Sequence, residues 1–211
     1  MQSNTKNSSQ RSLLSRLVST LIVTLMALLL IAWLVLGESK AQISGQFQSA
    51  DYESLAAAML DPATFANLDS GFDGIDADVI ETLYSLDDPA LSERLYLLSI
   101  VTNLGVVHGQ STALLLCSVS TGEAEQAVVC KVPDVRDLAR RNLSFKSDQR
   151  VTEAYRGALR GLDLEFRCPA EVPCGYQIEA RVKTWLPKGM ARGLVIDEFK
   201  AVISALDQSE P

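Results

Sequence analysis

The chain has 211 residues, a formal net charge of −7 and a single histidine. All 26 acidic residues and 16 of the 19 basic residues follow position 36, so the larger part of the protein is acidic. Contacts to phosphates require positive charge, which excludes a nucleic-acid-binding protein. One histidine excludes the H-E-x-x-H zinc motif, and no serine lies in the G-x-S-x-G elbow of a hydrolase.

The first predicted element is a membrane-spanning helix over residues 17–36. This run contains 20 residues without a charge, the length that a helix needs to cross roughly 30 Å of hydrocarbon. Three basic residues and no acidic residue precede it, so the positive-inside rule places residues 1–16 in the cytoplasm as a polar tail. An uncleaved anchor in contact with membrane lipid is the favoured interpretation. A secretory signal that is cut after Ala41 is the alternative.

Beyond this helix we predict a linker over residues 37–48 and one globular domain over residues 49–211. Both interpretations place this domain on the periplasmic or extracellular side, and the anchor holds the protein in the inner membrane by a single pass. Residues 41–93 contain eleven acidic residues and no Lys or Arg. This segregation indicates either a solvated acidic surface or a contact for a protein partner with a basic surface.

Two Asp-Pro pairs predict helix starts, because the aspartate can cap a helix and proline fits its first turn. Asp61-Pro62 is one of them. Asp88-Pro89 predicts the clearest helix of the domain, residues 89–103, with Leu91, Leu95 and Leu98 on one side. Capping residues and apolar periodicity predict further helices over residues 76–85, 134–143, 147–160 and 196–206.

Two stretches fit both a strand and a helix. Residues 112–119 and 127–132 form either a β-hairpin or a helix that begins at Ser120, which has capping-box spacing to Glu123. Residues 177–186 alternate as a strand does and also present an apolar helical face. The predicted fold is therefore α-rich, with α+β as the alternative: a mostly helical exported domain with at most a small antiparallel sheet.

The four cysteines, Cys117, Cys130, Cys168 and Cys174, predict two structural disulfides. An even number of cysteines in an oxidising compartment is typical of such bonds. Three connectivities are open, of which Cys117 with Cys130 and Cys168 with Cys174 closes the shortest loops. The spacings lack the close C-x-x-C pairs that are typical of zinc sites and redox motifs.

The candidate metal site is an Asp-rich segment that begins at Asp69. It resembles the opening of an EF-hand calcium loop, but Ile80 stands where that loop needs a bidentate glutamate. A looser cation site formed by Asp73, Asp76 and Asp78 is therefore the hypothesis, and a turn that caps the next helix is the alternative. No catalytic and no cofactor-binding residue is predicted.

Residues 157–186 resemble a known family. They contain Gly157-Ala-Leu-Arg-Gly161-Leu, then Phe166-x-x-Pro169-x-x-Val172-x-x-Gly175, and then Val182-Lys183 and Leu186. This pattern is similar to the signature of the periplasmic amidase-immunity (Tai-type) family of type VI secretion. The family's cysteine directly after the phenylalanine is replaced by Arg167, and its C-terminal cysteine is absent. The resemblance implies a helical domain, a helix over 175–186 and binding to a toxin enzyme, and no functional residue is carried over.

Two functional hypotheses follow from these patterns. The first is a single-pass membrane-anchored envelope protein whose acidic domain binds another protein, as an accessory, assembly or inhibitory (immunity) subunit. The second is a membrane-tethered periplasmic hydrolase that uses carboxylates. The missing catalytic motifs favour the first hypothesis, so we expect neither an enzyme nor a cofactor.

Overall fold

The architecture is a single seven-stranded antiparallel sheet with helices packed on both of its faces. The computed structural model describes residues 22–29, 37–67, 75–104, 107–122, 126–143, 148–154, 159–169, 173–184 and 186–208. The predicted α-rich fold is wrong, because the sheet organises both hydrophobic clusters of the domain.

The strand order across the sheet is β1-β7-β6-β5-β4-β3-β2. Strands β2 to β6 each pair with the next strand in sequence, whereas β1 pairs with β7 and forms one edge. Strand β2 forms the other edge, so the chain crosses the whole sheet between β1 and β2. The strands are β1 (Gly37–Gln46), β2 (Ile75–Asp87), β3 (Leu91–Leu104), β4 (Val107–Thr121), β5 (Gln126–Lys131), β6 (Leu159–Cys168) and β7 (Gly175–Thr184).

The helices begin where the sequence provides capping side chains. Asp51 caps α2 and Asp134 caps α4, and in both a capping box forms with the residue three positions later. The last helix, α6, packs mainly along β1. The helices are α1 (22–29), α2 (Tyr52–Leu60), α3 (Pro62–Asn67), α4 (Val135–Arg140), α5 (Gln149–Ala154) and α6 (Lys188–Gln208).

Two hydrophobic clusters lie on opposite faces of the sheet. The first includes Phe166 and Ile178 of the sheet, Leu55 of α2 and Leu206 of α6. The second joins leucines of β3 and β4 to Leu138 of α4 and to Val151 and Ala154 of α5. Burial of apolar surface on both faces is the main stabilising contribution to such a layered fold.

The two predicted helices over residues 76–85 and 89–103 are strands β2 and β3. Leu95 and Leu98 were expected on one side of a helix, but they belong to the two opposite clusters. A central strand that is buried on both faces has apolar residues at nearly every position, so its sequence lacks the alternation of a half-exposed strand. Asp88 accepts a hydrogen bond from the N–H of Ala90 in the β2–β3 turn rather than capping a helix.

The remaining predicted elements divide into confirmed and corrected ones. Both ambiguous stretches are strands, with residues 112–119 within β4, residues 127–131 within β5 and residues 177–184 within β7. The helix starts at Asp61-Pro62 and Asp134 are confirmed, and α6 contains the predicted helix 196–206. The helix predicted over 147–160 is reduced to α5, because the chain enters β6 at Leu159. The predicted linker contains β1, the strand that completes the sheet.

Both disulfides join the pairs that close the shortest loops. Cys117 and Cys130 lie opposite each other on β4 and β5, and Cys168 and Cys174 close the connection between β6 and β7. All four side chains are buried in the first cluster.

The predicted membrane-spanning helix over residues 17–36 lies largely outside the described residues. Residues 22–29 of it form α1, whose large apolar side chains are 53–65% exposed. No helix among the described residues has both the length and the apolar character needed to cross a membrane. This finding contradicts the predicted single-pass inner-membrane localisation.

Candidate functional site

A cleft of about 720 Å³ lies on the face of the sheet opposite α6. Ser39 of β1 points to the α6 side, where its Oγ donates to the carbonyl of Lys188, so the neighbouring Lys40 points to the cleft. Strands β1, β5, β6 and β7 form the floor, and the segment leading into α4 forms a wall. The lining residues are Lys40, Lys131, Val132, Pro133, Asp134, Val135, Asp137, Arg160, Gly161, Leu162, Asp163, Glu179 and Arg181.

The strand register places charged side chains of the floor in two rows. In one row Lys131, Asp163 and Glu179 are consecutive neighbours across β5, β6 and β7. In the other row Gly161 of β6 lies opposite Arg181 of β7, which lies opposite Lys40 of β1. Cross-strand neighbours project from the same face of a sheet, so these charges all line the cleft.

A β-bulge in β6 lies directly before Gly161, the residue opposite Arg181. The register shifts between Leu159 and Gly161, so Arg160 is the extra residue of the strand. The guanidinium of Arg181 lies across the Cα of Gly161, and a Cβ built at that glycine would stand only 2.8 Å from Arg181 Nε and 2.9 Å from Nη2. Glycine at this position therefore leaves the space that the guanidinium of Arg181 occupies.

Among the described residues, the ion pairs within the cleft do not include Asp163 and Arg181. Lys40 Nζ is 2.8 Å from Glu179 Oε1, and Lys131 Nζ is 3.0 Å from Asp137 Oδ1. In the part of the chain that the structure describes, Asp163 and Arg181 form no ion pair and no side-chain hydrogen bond, and both are exposed. The cleft therefore presents one available carboxylate and one available guanidinium.

Asp137 holds the wall of the cleft in place. Its Oδ2 accepts from the N–H of Asp134 at 3.0 Å, which completes the α4 capping box, while its Oδ1 binds Lys131 of the floor. Burial by itself raises the pKa of Asp137, but the hydrogen bonds from Asp134 and Lys131 outweigh burial and lower that pKa below its ordinary value. Asp137 therefore stays ionised and fastens α4 to β5.

A buried ion pair anchors the other end of α4 to the sheet. Arg141, directly after the helix, binds Glu93 of β3 through two guanidinium nitrogens, and the Nε–Oε2 distance is 2.7 Å. Its Nη1 also donates to the carbonyl of Asp137 at 2.9 Å. The hydrogen bond from Arg141 lowers the pKa of Glu93, against the opposing effect of burial. This pair places α4 rigidly beside the cleft.

The two described residues of the predicted metal site, Asp76 and Asp78, do not line the cleft. Asp73 lies outside the described residues, and Asp76 and Asp78 are in β2 at the far edge of the sheet. The described residues contain no group of three His, Cys, Asp or Glu side chains that could hold a metal ion. The cation site that includes Asp73 stays a prediction.

The segment that carried the family resemblance forms part of the floor instead of a helical domain. Residues 159–168 are β6 and residues 175–184 are β7, so the implied helix over 175–186 is wrong. Gly161, predicted to end a helix, is a strand residue beneath Arg181. The relationship to the immunity family is not tested by these observations.

Sequence reasoning missed the charged residues of the cleft, although part of the signal was present. Asp163, Glu165 and Arg167 alternate with apolar residues, as do Glu179, Arg181 and Lys183. Such alternation is typical of strands with one polar face. The bulge and the pairing of β1 with β7 have no comparable signal, because both depend on contacts between distant segments.

No family model and no curated protein matches the chain. It is similar to the structure of human STARD10, with 13% identity over 81% of this chain and a TM-score of 0.46. The match spans 64% of the STARD10 chain, which is less than two thirds of its length. The chain is also similar to the lipid transfer and protein localization domain of human StarD13, with 14% identity and a TM-score of 0.44. That match covers 80% of this chain and 77% of the StarD13 chain. A STAR-related lipid transfer protein from Xanthomonas axonopodis is similar as well, with 8% identity and a TM-score of 0.44. That match covers 79% of this chain and 85% of the Xanthomonas chain.

The helices of the described residues contradict the predicted function. The hypothesis of a membrane-anchored envelope subunit that binds another protein is contradicted, since no described helix could form the anchor. The same finding contradicts the membrane tether of the alternative hydrolase.

Proposed function

We propose that this protein is a binding domain for a small molecule that carries an oxyanion, either a carboxylate or a phosphate, and that the cleft is its binding site. The observation that carries the proposal is the position of Arg181. Its guanidinium is exposed, lies against Gly161 and has no ion-pair partner among the described residues. A planar guanidinium with free N–H groups matches the geometry of carboxylate and phosphate oxygens.

The surroundings of Arg181 support an anion at this place. Lys40 is its cross-strand neighbour on β1, and Arg160 lines the same part of the cleft. Three cationic side chains therefore line this part of the cleft. Val132, Pro133 and Leu162 add apolar lining, which suits the carbon skeleton of a small organic ligand.

The volume of the cleft is also appropriate for a ligand of this class. At about 720 Å³ it lies within the range of roughly 300–1,000 Å³ that is typical of small-molecule sites. A soluble metabolite and a lipid headgroup are two sources of the anionic group. Lipid transfer is stated for the StarD13 domain and the Xanthomonas protein, and their TM-scores are too low to bring that activity to this chain.

The test is a titration of the isotope-labelled full chain with hexanoate and with inorganic phosphate. Changes in the backbone amide chemical shifts are measured by NMR during the titration. We expect saturable shifts at Gly161, Asp163 and Glu179, and we expect Arg181→Met to abolish them. Arg167→Met is the matched control, because Arg167 is an exposed arginine of β6 that does not line the cleft.

Two results would overturn the proposal. One is the absence of saturable shifts at the cleft with either anion. The other is an equal loss of binding in the Arg167 and Arg181 variants, which would indicate unspecific attraction to positive charge.

A further inference from the structure

The cleft also presents a carboxylate, that of Asp163, on the strand next to Arg181. Asp163 lies on β6 two residues after Gly161, the residue on which the guanidinium of Arg181 rests. Two residues of a strand span roughly 6.6 Å, and side chains two apart point to the same face. A negative and a positive side chain therefore stand side by side in one cleft without pairing with each other.

The neighbours of Asp163 make a bound cation favourable. Asp163 lies directly opposite Glu179, and like charges in opposite positions on neighbouring strands destabilise a sheet. Lys40 compensates Glu179 at 2.8 Å. Lys131 lies opposite Asp163 on the other side, but its Nζ is bound to Asp137 at 3.0 Å.

From this arrangement we infer that the ligand is a zwitterion, a short chain with an ammonium group that binds Asp163 and an oxyanion that binds Arg181. The inference rests on the proposed function, because Arg181 is the anion site in both. The balance of charges around the cleft agrees with it. Four cationic and four anionic side chains line the site, so a ligand with both charges meets a complement for each.

The experiment compares 6-aminohexanoate with hexanoate, which differs only by the amine, in calorimetric titrations of the full chain. We expect the amine to tighten binding by about fivefold, the effect of one exposed charge pair. Asp163→Asn removes this difference and leaves hexanoate binding intact. Glu165→Gln is the matched control, because Glu165 is the next acidic residue of β6 and does not line the cleft. Glycine, whose two charges are too close to reach both side chains, binds more weakly than 6-aminohexanoate.

The outcomes separate the inference from the proposed function. Equal affinity for hexanoate and 6-aminohexanoate overturns the zwitterion and leaves the anion site standing. An unchanged preference for the amine in Asp163→Asn also overturns the zwitterion. If neither compound binds and inorganic phosphate does not bind either, the proposed function fails as well.

Vesicle sedimentation distinguishes a soluble source from a lipid headgroup. Retention on vesicles of phosphatidylethanolamine, but not on vesicles of phosphatidylglycerol, supports a zwitterionic lipid headgroup. Binding of 6-aminohexanoate without retention on either vesicle supports a soluble zwitterion. Equal retention on both vesicles contradicts recognition of the amine.

Discussion

The carboxylate of Asp207, near the C-terminal end of α6, accepts a hydrogen bond of 2.8 Å from the backbone N–H of Ser49. The N–H groups of Gln48 and Ala50 point to the same carboxylate at 3.0 Å. At the other end of the helix, Ser39 Oγ donates to the carbonyl of Lys188 at 3.1 Å. These bonds fasten α6 at both ends to β1 and to the segment that follows it, so the helix covers the edge of the sheet.

Replacement of Asp207 by alanine tests the importance of this attachment. The change leaves three backbone donors without their acceptor, and we expect the free energy of unfolding to fall by about 1–3 kcal/mol. Denaturant titration measures the loss. Asp197→Ala on the same helix is the control, because Asp197 is exposed and approaches Lys200 only at 4.0 Å. Its expected change is within about 0.5 kcal/mol, and an equal loss in both variants would contradict a specific role for Asp207.

The stability of the protein should depend on pH through Asp207 and Glu93. Burial raises the pKa of Asp207, but the hydrogen bonds from three backbone N–H groups outweigh burial and lower that pKa. The pKa of Glu93 is lowered by Arg141. A carboxyl whose pKa is lower in the folded state contributes stability above its ordinary pKa, 3.8 for Asp and 4.5 for Glu, and that contribution is lost as the pH falls.

We therefore expect the unfolding midpoint in denaturant to decrease from about pH 5 downward. The decrease should be smaller in Asp207→Ala, because that variant has already lost one of the carboxyl groups whose pKa is lowered in the folded state. A midpoint that stays constant down to about pH 3 would contradict the assignment.

Removal of one partner of the Glu93–Arg141 pair is expected to destabilise the protein strongly, and removal of both partners is expected to destabilise it less. Their side chains are only 4% and 19% exposed, so Glu93→Ala leaves a nearly buried guanidinium without its partner. We expect a loss of about 3 kcal/mol or more in denaturant unfolding, and a smaller loss for the double variant Glu93→Leu with Arg141→Met. Glu165→Ala, which breaks an exposed pair with Arg167, should cost less than about 1 kcal/mol. A double variant less stable than Glu93→Ala would argue against this explanation.

Gly161→Ala is expected to affect ligand binding more than folding. The new Cβ would meet the end of the flexible Arg181 side chain at 2.8 Å, so the guanidinium must move while the backbone stays in place. We expect hexanoate to bind about fivefold more weakly, with the melting temperature nearly unchanged. Gly193→Ala on α6 is the control, since its Cβ would meet no atom within 4 Å. Unchanged affinity in Gly161→Ala would show that Gly161 does not hold Arg181 for binding.

Local patterns identified elements whose signals are contained in a few consecutive residues. Asp134 with Asp137 predicted the start of α4, because a capping box needs only residues three apart. The disulfide between Cys117 and Cys130 agrees with the shortest-loop pairing, because those cysteines are cross-strand neighbours in one hairpin.

Only the tertiary structure decided between helix and strand for residues 91–104. Their leucine-rich sequence suits a helix, but burial of Leu97 on one face and Leu98 on the other is possible because β3 lies between two paired strands. The cleft depends even more on long-range contacts. Lys40 reaches Glu179 only because β1 pairs with β7, and Arg181 reaches Gly161 only because β6 pairs with β7. The sequence by itself therefore predicted the disulfides and the helix caps, because their signals lie in local patterns. The cleft depends on the register of β1, β5, β6 and β7, which no local pattern encodes.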